Sequence, residues 1–327
     1  MRLEIEGLTG DSYFVIDRLH TRKAMIQIAQ RATGRRTSVA CLFVSVWVCV
    51  VSTFAQAGER PLTPAPFDTK AAAMVPAAIR AKGFITFGTV GTSSPGAFVA
   101  ADGKTLIGFE IDLLRALGQV LGLDVRFERV RFDGLIPGVL SGRYQGANST
   151  FTVTEARLKV VDMITYGQAG LVIIVPKDST MDFSSYRVLC GHSVATVQGS
   201  ADQQLLTEED ALCGKRGQPS IDIRVFPDQD TAALATASHR TEAYATNVLE
   251  AGYRVDGSHG ALKMSTAFNL LPSGFAVGKD SGLTSALFEA TTKLMKSPSY
   301  HEIFVKWGIT SAELKEPELN MTRLARP

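Results

Sequence analysis

Apolar and polar positions follow two alternating periods along this chain, and together they predict an α/β protein. Strand-length apolar runs, flanked by turn residues, occur at 84–88, 123–130, 171–175, 193–197, 221–226, 243–246 and 275–279. Between them, helical spacing predicts helices at 75–82, 108–121, 133–141, 202–212, 230–238, 283–295 and 299–307. The alternation restarts after Pro176, which indicates two successive α/β units.

The first 57 residues have the pattern of an export signal. Arg35 and Arg36 precede an apolar run at 39–51, and a small-x-small triplet ends at Ala57, the predicted cleavage site. The apolar run has about 13 residues, short of the roughly 20 that span a bilayer, although an uncleaved anchor is the alternative. The charged region is long, so Met25 is an alternative start, and the paired arginines leave twin-arginine export open.

The charge balance argues against a protein that binds nucleic acid by bulk charge. Formal net charge is +2, with 20% charged and 45% hydrophobic residues, so the chain has enough apolar residues for sizeable cores. The five histidines are scattered without the spacing of metal ligands. We therefore expect neither a metal site nor a cofactor.

Two cysteines, Cys190 and Cys213, remain once the export segment is removed. An even pair in an exported chain predicts a disulfide. A metal pair and a catalytic thiol are the alternatives, but the sequence shows no partner residues for either.

A strand end runs into a helix at residues 149–163, and this stretch is the first candidate site. Thr154 is a predicted N-cap, and Arg157 then falls at the third helical position, where a cation opposes the helix dipole. Such a local misfit is typical of functional sites. With the hydroxyls of Thr150 and Thr152, the guanidinium suits a carboxylate or phosphate. A surface arginine at a helix start is the alternative interpretation.

A second strand-to-helix turn lies at 198–200, and we expect its amides to be free. A loop at 91–96 follows the first strand, at the end where ligands of open α/β sheets gather. Two such turns facing one another across a cleft would bind a small anion.

Five motifs occur in the order found in one known family. They are DGKTLIGFEIDL at 102–113, FDGLIPGVLSGRY at 132–144, TEARLKVVDM at 154–163, VQGS at 197–200 and IFVKWG at 303–308. In this register, residues 78 to about 311 resemble the periplasmic solute-binding proteins of polar amino-acid ABC transporters (bacterial extracellular solute-binding protein family 3). The cysteine pair resembles a disulfide of one subgroup.

The resemblance implies a two-lobed periplasmic-binding-protein fold of type II, with two crossover strands as a hinge at about 170–176 and 271–277. The implied lobes are lobe 1 at 77–172 plus 275–312 and lobe 2 at 173–274. The Pro- and Ala-rich composition before them predicts a linker at 58–76, and the charged residues after them predict a loosely held tail at 313–327. The resemblance also implies a periplasmic monomer that delivers a small carboxylate solute to an ABC transporter permease in the inner membrane.

The same resemblance assigns the site. Arg157 corresponds to the arginine that binds the ligand carboxylate, and Thr150 and Thr152 correspond to hydrogen-bonding positions before it. Phe132 corresponds to the apolar wall, and Ser200 to the turn of the second lobe.

Departures from the family pattern concern the opposite side of the ligand. The family usually has aromatic residues around the loop proline, where this chain has Ser93 and Gly96. An acidic partner of the ligand ammonium is expected where this chain has Asn247. Loss of that charge predicts weak binding of standard α-amino acids, or preference for an N-substituted or amine-free acid.

An exported enzyme of the same fold, similar to a dehydratase, is the second hypothesis. It would need an acid or base in the cleft. Glu110, Lys104 and Glu242 are the titratable candidates, and we expect each to be a solvated surface residue. A sensory module is a third option, and would need a transmembrane link to signalling domains.

Overall fold

The computed structural model describes residues 61–323. Its helices are α1 (Thr69–Met74), α2 (Ala77–Lys82), α3 (Phe109–Leu121), α4 (Leu135–Leu140), α5 (Glu155–Leu158), α6 (Ala201–Lys215), α7 (Gln229–Ala237), α8 (Val248–Gly257), α9 (Thr284–Met295) and α10 (Pro298–Lys306). Its strands are β1 (Phe84–Thr89), β2 (Thr92–Ser93), β3 (Ala97–Val99), β4 (Leu106–Ile107), β5 (Asp124–Arg129), β6 (Gly146–Ala147), β7 (Val161–Pro176), β8 (Ser193–Val197), β9 (Asp222–Phe226), β10 (Ala243–Asn247), β11 (Leu262–Met264) and β12 (Phe268–Gly278).

The predicted export signal, its cleavage site and the alternative start at Met25 lie outside the described residues. Across residues 61–323, no helix combines the length and the apolarity that crossing a membrane requires.

A mixed sheet runs through both lobes in the order β5-β1-β6-β12-β7-β10-β8-β9, with β11 paired to β7. Strand β1 is parallel to β5 and β6 in lobe 1, and β8 is parallel to β9 and β10 in lobe 2. Helices connect these parallel strands, as α/β topology requires. A small antiparallel sheet, β2-β3-β4, extends lobe 1. The two-lobed α/β fold predicted from the sequence is confirmed.

The two longest strands, β7 and β12, cross between the lobes side by side and antiparallel. At one end β12 pairs with β6 of lobe 1, and at the other end β7 pairs with β10 of lobe 2. The ladder between β7 and β12 shifts register between Phe268 and Leu271 and again between Ser273 and Gly274. The predicted lobe boundaries at 172/173 and 274/275 fall inside these strands and stay predictions.

Each lobe has its own apolar core. In lobe 1, α3 packs beneath the sheet with α9 and α10, which brings Phe109, Leu117, Leu287 and Phe304 together. In lobe 2, Leu206 of α6 packs against Val194 and Ile173. The Cys190–Cys213 disulfide joins the segment before β8 to α6, with the two Cα atoms 5.7 Å apart. The disulfide predicted from the sequence is confirmed.

The segment expected to be a linker, 58–76, contains a helix that packs on lobe 1. Asp68 caps α1 by accepting a hydrogen bond from the amide of Ala71, whose side chain is buried. The backbone amide of Asp68 also donates to the carbonyl of Val120 at 2.9 Å. The described part of this segment is therefore anchored, because its small apolar residues find a surface to bury against.

The tail beyond residue 312 also differs from the expectation of a loosely held segment. The amide of Thr165 donates to the carbonyl of Glu318 at 3.0 Å, and the side chain of Asn320 accepts from the amide of Met163 at 2.8 Å. Leu319 forms a β-bridge with Ile164. The tail thus supplies partners for backbone groups of β7.

Candidate functional site

Arg157 lines the cleft between the lobes and is buried, with 9% of its surface exposed. Thr154 caps the short helix α5 as predicted, since its hydroxyl accepts from the amide of Arg157 at 3.3 Å. The guanidinium donates through Nη1 to the carbonyl of Thr152 at 2.7 Å. Through Nη2 it donates to the carbonyl of Gly199, in the other lobe, at 3.2 Å. The interpretation of a surface arginine is wrong.

Two aromatic rings flank this guanidinium. Its central carbon lies 4.6 Å from the ring centroid of Phe151 and 5.6 Å from that of Phe132. The two rings pack edge to face against each other. They hold the guanidinium plane in place and keep water from that side, which strengthens its interaction with any anion.

Among the described residues, no carboxylate accepts a hydrogen bond from Arg157. Burial lowers the pKa of Arg157 to about 10, and the nearby carboxyl of Asp202 opposes this fall. The group is therefore still a cation at neutral pH. Within residues 61–323, its hydrogen bonds go only to backbone carbonyls.

The second turn, at 198–200, differs from the expectation of free amides, which is wrong for all three residues. The amide of Gln198 donates to the carbonyl of Phe226, and that of Ser200 to the carbonyl of Val197. The amide of Gly199 donates to the side chain of Gln203 at 2.7 Å. Ser200 caps α6 by accepting from the amide of Gln203 at 3.0 Å. The turn offers the hydroxyl of Ser200 and the carbonyl of Gly199 to the cleft.

A small cavity lies between the lobes, with a free volume of about 30 Å³. This is room for a water molecule and too little for an amino acid. Its lining residues are Phe132, Thr150, Thr152, Arg157, Val197, Ser200, Ala201, Asp202, Gln229, Tyr244, Ala245, Thr246, Asn247 and Glu250. Six of the seven predicted site residues are among them, and the seventh, Ser93, contacts the lining residue Glu250.

Hydrogen bonds across the cleft converge on the carboxylate of Glu250. Its Oε1 accepts from the hydroxyl of Ser93 at 2.7 Å and from the hydroxyl of Thr150 at 2.7 Å, both in lobe 1. The side-chain amide of Gln229 donates to the hydroxyl of Ser93 at 3.2 Å. Thr150 has a positive φ of 45°, a backbone conformation that a β-branched residue rarely adopts. The lobes are therefore closed on each other through polar contacts.

A buried ion pair stands behind this carboxylate. Arg254 donates through Nη1 to Oε2 of Glu250 at 3.1 Å, and through Nη2 to Asp230 at 3.1 Å. Nη2 also donates to the carbonyl of Thr92 in lobe 1 at 3.3 Å. Burial lowers the pKa of Arg254, but the charge of Glu250, with smaller contributions from other groups, raises it above its ordinary value.

Glu110 contradicts the expectation of a solvated surface residue, since only 1% of its surface is exposed. Burial raises the pKa of Glu110 to about 7, although hydrogen bonds from the amide of Thr150 and the hydroxyl of Tyr166 oppose the rise. Those bonds are 2.5 and 2.7 Å long, and both reach Oε1. Oε2 finds no partner among the described residues. Lys104 and Glu242 are exposed, as predicted.

On the lobe 2 wall, Asp202 lies in the first turn of α6. It accepts from the hydroxyl of Tyr186 at 2.7 Å, and burial raises its pKa. The hydroxyl of Tyr244, on β10, is buried and makes no hydrogen bond within the described part of the chain. This wall thus presents an acid and a free hydroxyl to the cavity.

Asn247 ends β10 and caps α8. Its side-chain oxygen accepts from the amide of Glu250 at 3.2 Å. The residue therefore lines the cavity as predicted, but part of its hydrogen-bonding capacity serves the helix.

Sequence reasoning missed three charged residues of this region, Asp202, Glu250 and Arg254, and it missed the burial of Glu110. The sequence did indicate that Glu110 is buried, because this residue lies on the same helical face as Leu114, Leu117 and Leu121 of α3. Glu250 and Arg254 are four residues apart on α8, the spacing of an ordinary exposed helix pair. No local signal distinguishes that pair from a surface one.

The comparisons with known proteins agree with this architecture. The chain is 30% identical to the arginine-binding protein ArgT of Corynebacterium glutamicum over 250 residues, which cover 76% of this chain and 82% of the relative. An ancestral arginine-binding protein solved with bound arginine is 30% identical, with a TM-score of 0.63, covering 69% of this chain and 98% of that one.

A third similar structure is an ancestral amino acid-binding protein described as a precursor of cyclohexadienyl dehydratase. It is 28% identical, with a TM-score of 0.62, and the match covers 70% of this chain and 97% of that one. The model of one family, the bacterial extracellular solute-binding proteins, family 3, matches residues 85–310, and the chain belongs to that family.

Proposed function

We propose that this protein is the solute-binding component of an ABC importer and binds an amino acid by its carboxylate between the two lobes. The observation that carries the proposal is the buried guanidinium of Arg157. It lies on the cavity wall as a cation whose described hydrogen bonds reach only carbonyls. A buried cation in such a position is stabilised most by an anion that brings its own charge.

The guanidinium has the donors for a bidentate contact. Arginine has five N–H groups, and the structure uses one on each Nη. The remaining groups can donate in parallel to both oxygens of a carboxylate, which is the strongest geometry for this pair. The hydroxyl of Thr152 lies on the same wall and adds a neutral hydrogen bond. Phe132 covers the apolar part of the ligand.

Ligand entry requires the lobes to separate, because the closed cavity is smaller than any amino acid. The crossover strands β7 and β12 are the natural hinge, since they are the continuous connections between the lobes. Closure around the ligand would exclude water and strengthen the polar contacts.

The relatives suggest arginine as the first solute to test. The cavity wall carries one cation, Arg157, and two carboxylates, Asp202 and Glu250. This balance suits a ligand with a carboxylate and more than one cationic group. The importer's permease in the inner membrane is the proposed macromolecular partner, and we propose that the protein acts as a periplasmic monomer.

Isothermal titration calorimetry of the mature protein, unfolded and refolded to remove bound solute, tests the proposal with standard L-amino acids. Arg157→Ala should weaken binding of the best solute by about 30-fold or more, because truncating one side of a buried charge pair has effects of this size. Arg157→Lys should recover only part of the lost affinity, since the ammonium of lysine cannot make the bidentate contact of a guanidinium.

Arg131→Ala is the matched control, because this neighbouring arginine is 61% exposed and, within residues 61–323, forms an ion pair with Asp133 alone. Its affinity should equal that of the unchanged protein. Unchanged affinity in Arg157→Ala would refute the assigned role of Arg157, and no binding of any amino acid would refute the proposed function.

The enzyme hypothesis has weaker support. Glu110, the acid named from the sequence, has a raised pKa, but it lies behind Thr150 and does not line the cavity. Asp202 lines the cavity and burial raises its pKa, but its carboxylate accepts the hydroxyl of Tyr186. Mass spectrometry of candidate solutes after long incubation with the protein checks it, and recovery of unchanged solute is the expected result.

A further inference from the structure

We propose that Glu250 binds the ammonium group of the ligand, in place of the residue at 247. This inference rests on the proposed function, since it concerns the same site and the end of the ligand opposite Arg157. It also predicts that standard α-amino acids bind, in contrast to the expectation drawn from Asn247.

Asn247 is poorly suited to receive an ammonium group. Its oxygen already accepts the amide of Glu250 as the cap of α8, and it has no charge. The rest of its side chain is an NH₂ group, which donates and so repels a cationic donor. The oxygen of Asn247 keeps a second lone pair but has no charge, so a charged acceptor for the ammonium must come from elsewhere on the cavity wall.

Glu250 lies one helical turn further along and also lines the cavity. Only 2% of its surface is exposed, so its charge is little screened. Its Oε1 accepts two hydroxyl groups, while Oε2 accepts a single donor, Arg254. A carboxylate has about four acceptor positions, so Oε2 retains one.

The ion pair with Arg254 does not cancel the charge of Glu250. Arg254 divides its guanidinium between Glu250 and Asp230, each 3.1 Å away. Asp230 is 63% exposed, so the two carboxylates leave a partly screened negative charge beside the buried Arg254. Arg157 lines the same cavity with its positive charge, so the cavity wall carries both charges that a zwitterion needs.

The contacts of Glu250 with lobe 1 also place it where an ammonium would bind. The hydroxyls of Ser93 and Thr150 point at this carboxylate from across the cleft. Both are also acceptors, so either can receive an N–H from an ammonium bound to Glu250. An ammonium group has three donors, and this cluster supplies acceptors for them from both lobes.

The test compares L-arginine with its α-hydroxy analogue, in which a hydroxyl replaces the ammonium; if another standard L-amino acid binds more tightly, that acid and its α-hydroxy analogue are used. The unchanged protein should prefer the amino acid by about 10- to 100-fold, the range of a charge-assisted hydrogen bond. Glu250→Gln should abolish the preference by lowering affinity for the amino acid alone. The exposed Glu208→Gln on α6 is the matched control and should keep the preference.

The outcomes separate this inference from the proposed function. Equal binding of both probes by the unchanged protein overturns the inference while carboxylate binding stands. Equal weakening of both probes in Glu250→Gln shows a structural role and also overturns it. If no amino acid binds the unchanged protein, the proposed function itself fails.

Asn247→Asp provides a second measurement that does not depend on the fold tolerating a change at Glu250. Aspartate caps a helix as well as asparagine, so this variant keeps α8. If Glu250 binds the ammonium, an acid at 247 should raise affinity less than about threefold, because the ammonium already has its charged partner. A gain above tenfold would assign the ammonium to position 247 and overturn the inference.

Discussion

Arg157 and Arg254 are both buried at the contact between the lobes, but their partners differ. Arg157 donates to two backbone carbonyls, one in each lobe. Arg254 donates to two carboxylates, those of Glu250 and Asp230, and to two backbone carbonyls, those of Glu250 and Thr92. Burial lowers the pKa of Arg157 to about 10, whereas nearby acids hold the pKa of Arg254 above its ordinary value.

The contrast agrees with the proposed roles, in which Arg254 stabilises the fold and Arg157 binds the ligand. The charge of Arg254 is compensated inside the protein, so its removal would leave Glu250 buried and unpaired. No carboxylate among the described residues accepts a hydrogen bond from Arg157, and only the nearby charge of Asp202 favours its cationic form, so we expect a bound anion to stabilise the protein.

The largest expected effect is on stability. Arg254→Met should lower the free energy of unfolding by about 3–5 kcal/mol, because breaking a buried pair leaves an uncompensated charge. Urea unfolding followed by circular dichroism measures this. A loss below about 1 kcal/mol would contradict the structural role, since exposed pairs have effects of that size.

Glu110 is a buried acid with no cation among its described hydrogen-bond partners, so it can be compared with the two buried arginines. Its expected effect on the free energy of unfolding depends on pH. Its pKa rises from 4.5 to about 7 on folding, so between these values the folded protein holds more protons than the unfolded chain. This group's contribution is therefore present below pH 4.5 and is lost as pH rises to 7. At about 1.4 kcal/mol per pKa unit, the loss is about 3 kcal/mol.

Glu110→Gln cannot ionise and should lack this loss. Its free energy of unfolding, relative to the unchanged protein, should increase by about 3 kcal/mol between pH 4.5 and 7.5. Thermal unfolding across this pH range measures the difference, with the exposed Glu208→Gln as control. A difference that stays constant with pH would show that folding does not raise the pKa of Glu110.

Arg157→Met should have a smaller effect on the ligand-free protein. The substitution removes the energetic cost of burying a cation, and this gain offsets the lost hydrogen bonds to the two carbonyls. We therefore expect the free energy of unfolding to change by no more than about 1–2 kcal/mol. The same urea experiment compares it directly with Arg254→Met. Equal losses in the two variants would remove the distinction between the two arginines.

Ser93→Ala should have the smallest effect, because it removes one hydroxyl from the carboxylate of Glu250. Loss of this hydrogen bond between the lobes should shift the equilibrium toward the open form by about 1 kcal/mol, and weaken ligand binding about fivefold. Calorimetry and the small-angle scattering radius of the ligand-free protein measure both effects. Ser94→Ala is the control, since Ser94 is buried but bonds no carboxylate within residues 61–323.

Local rules were enough to find one half of the site. Thr154 and Arg157 stand in a recognisable helix start, and the structure places Arg157 in the cleft. Cys190 and Cys213 needed only their number and the export context. Both predictions needed only a few neighbouring residues or the number of cysteines.

The other half depends on contacts between distant parts of the chain. Glu250 meets Ser93 across 157 positions and Thr150 across 100, and no sequence period encodes such pairings. The prediction of free amides at 198–200 was wrong for a related reason. The side chain of Gln203 and the carbonyl of Phe226 accept hydrogen bonds from two of these amides. Which amides are free depends on what the folded neighbours offer.

The crossing strands also impose an order on folding. The core of lobe 2 comes from one continuous stretch, from Leu171 to Leu271. The core of lobe 1 joins Phe109 and Leu117 to Leu287 and Phe304, and so must close a loop that contains all of lobe 2. We therefore expect lobe 2 to be able to fold before α9 and α10 complete the core of lobe 1, and we expect that completion to be the slower step.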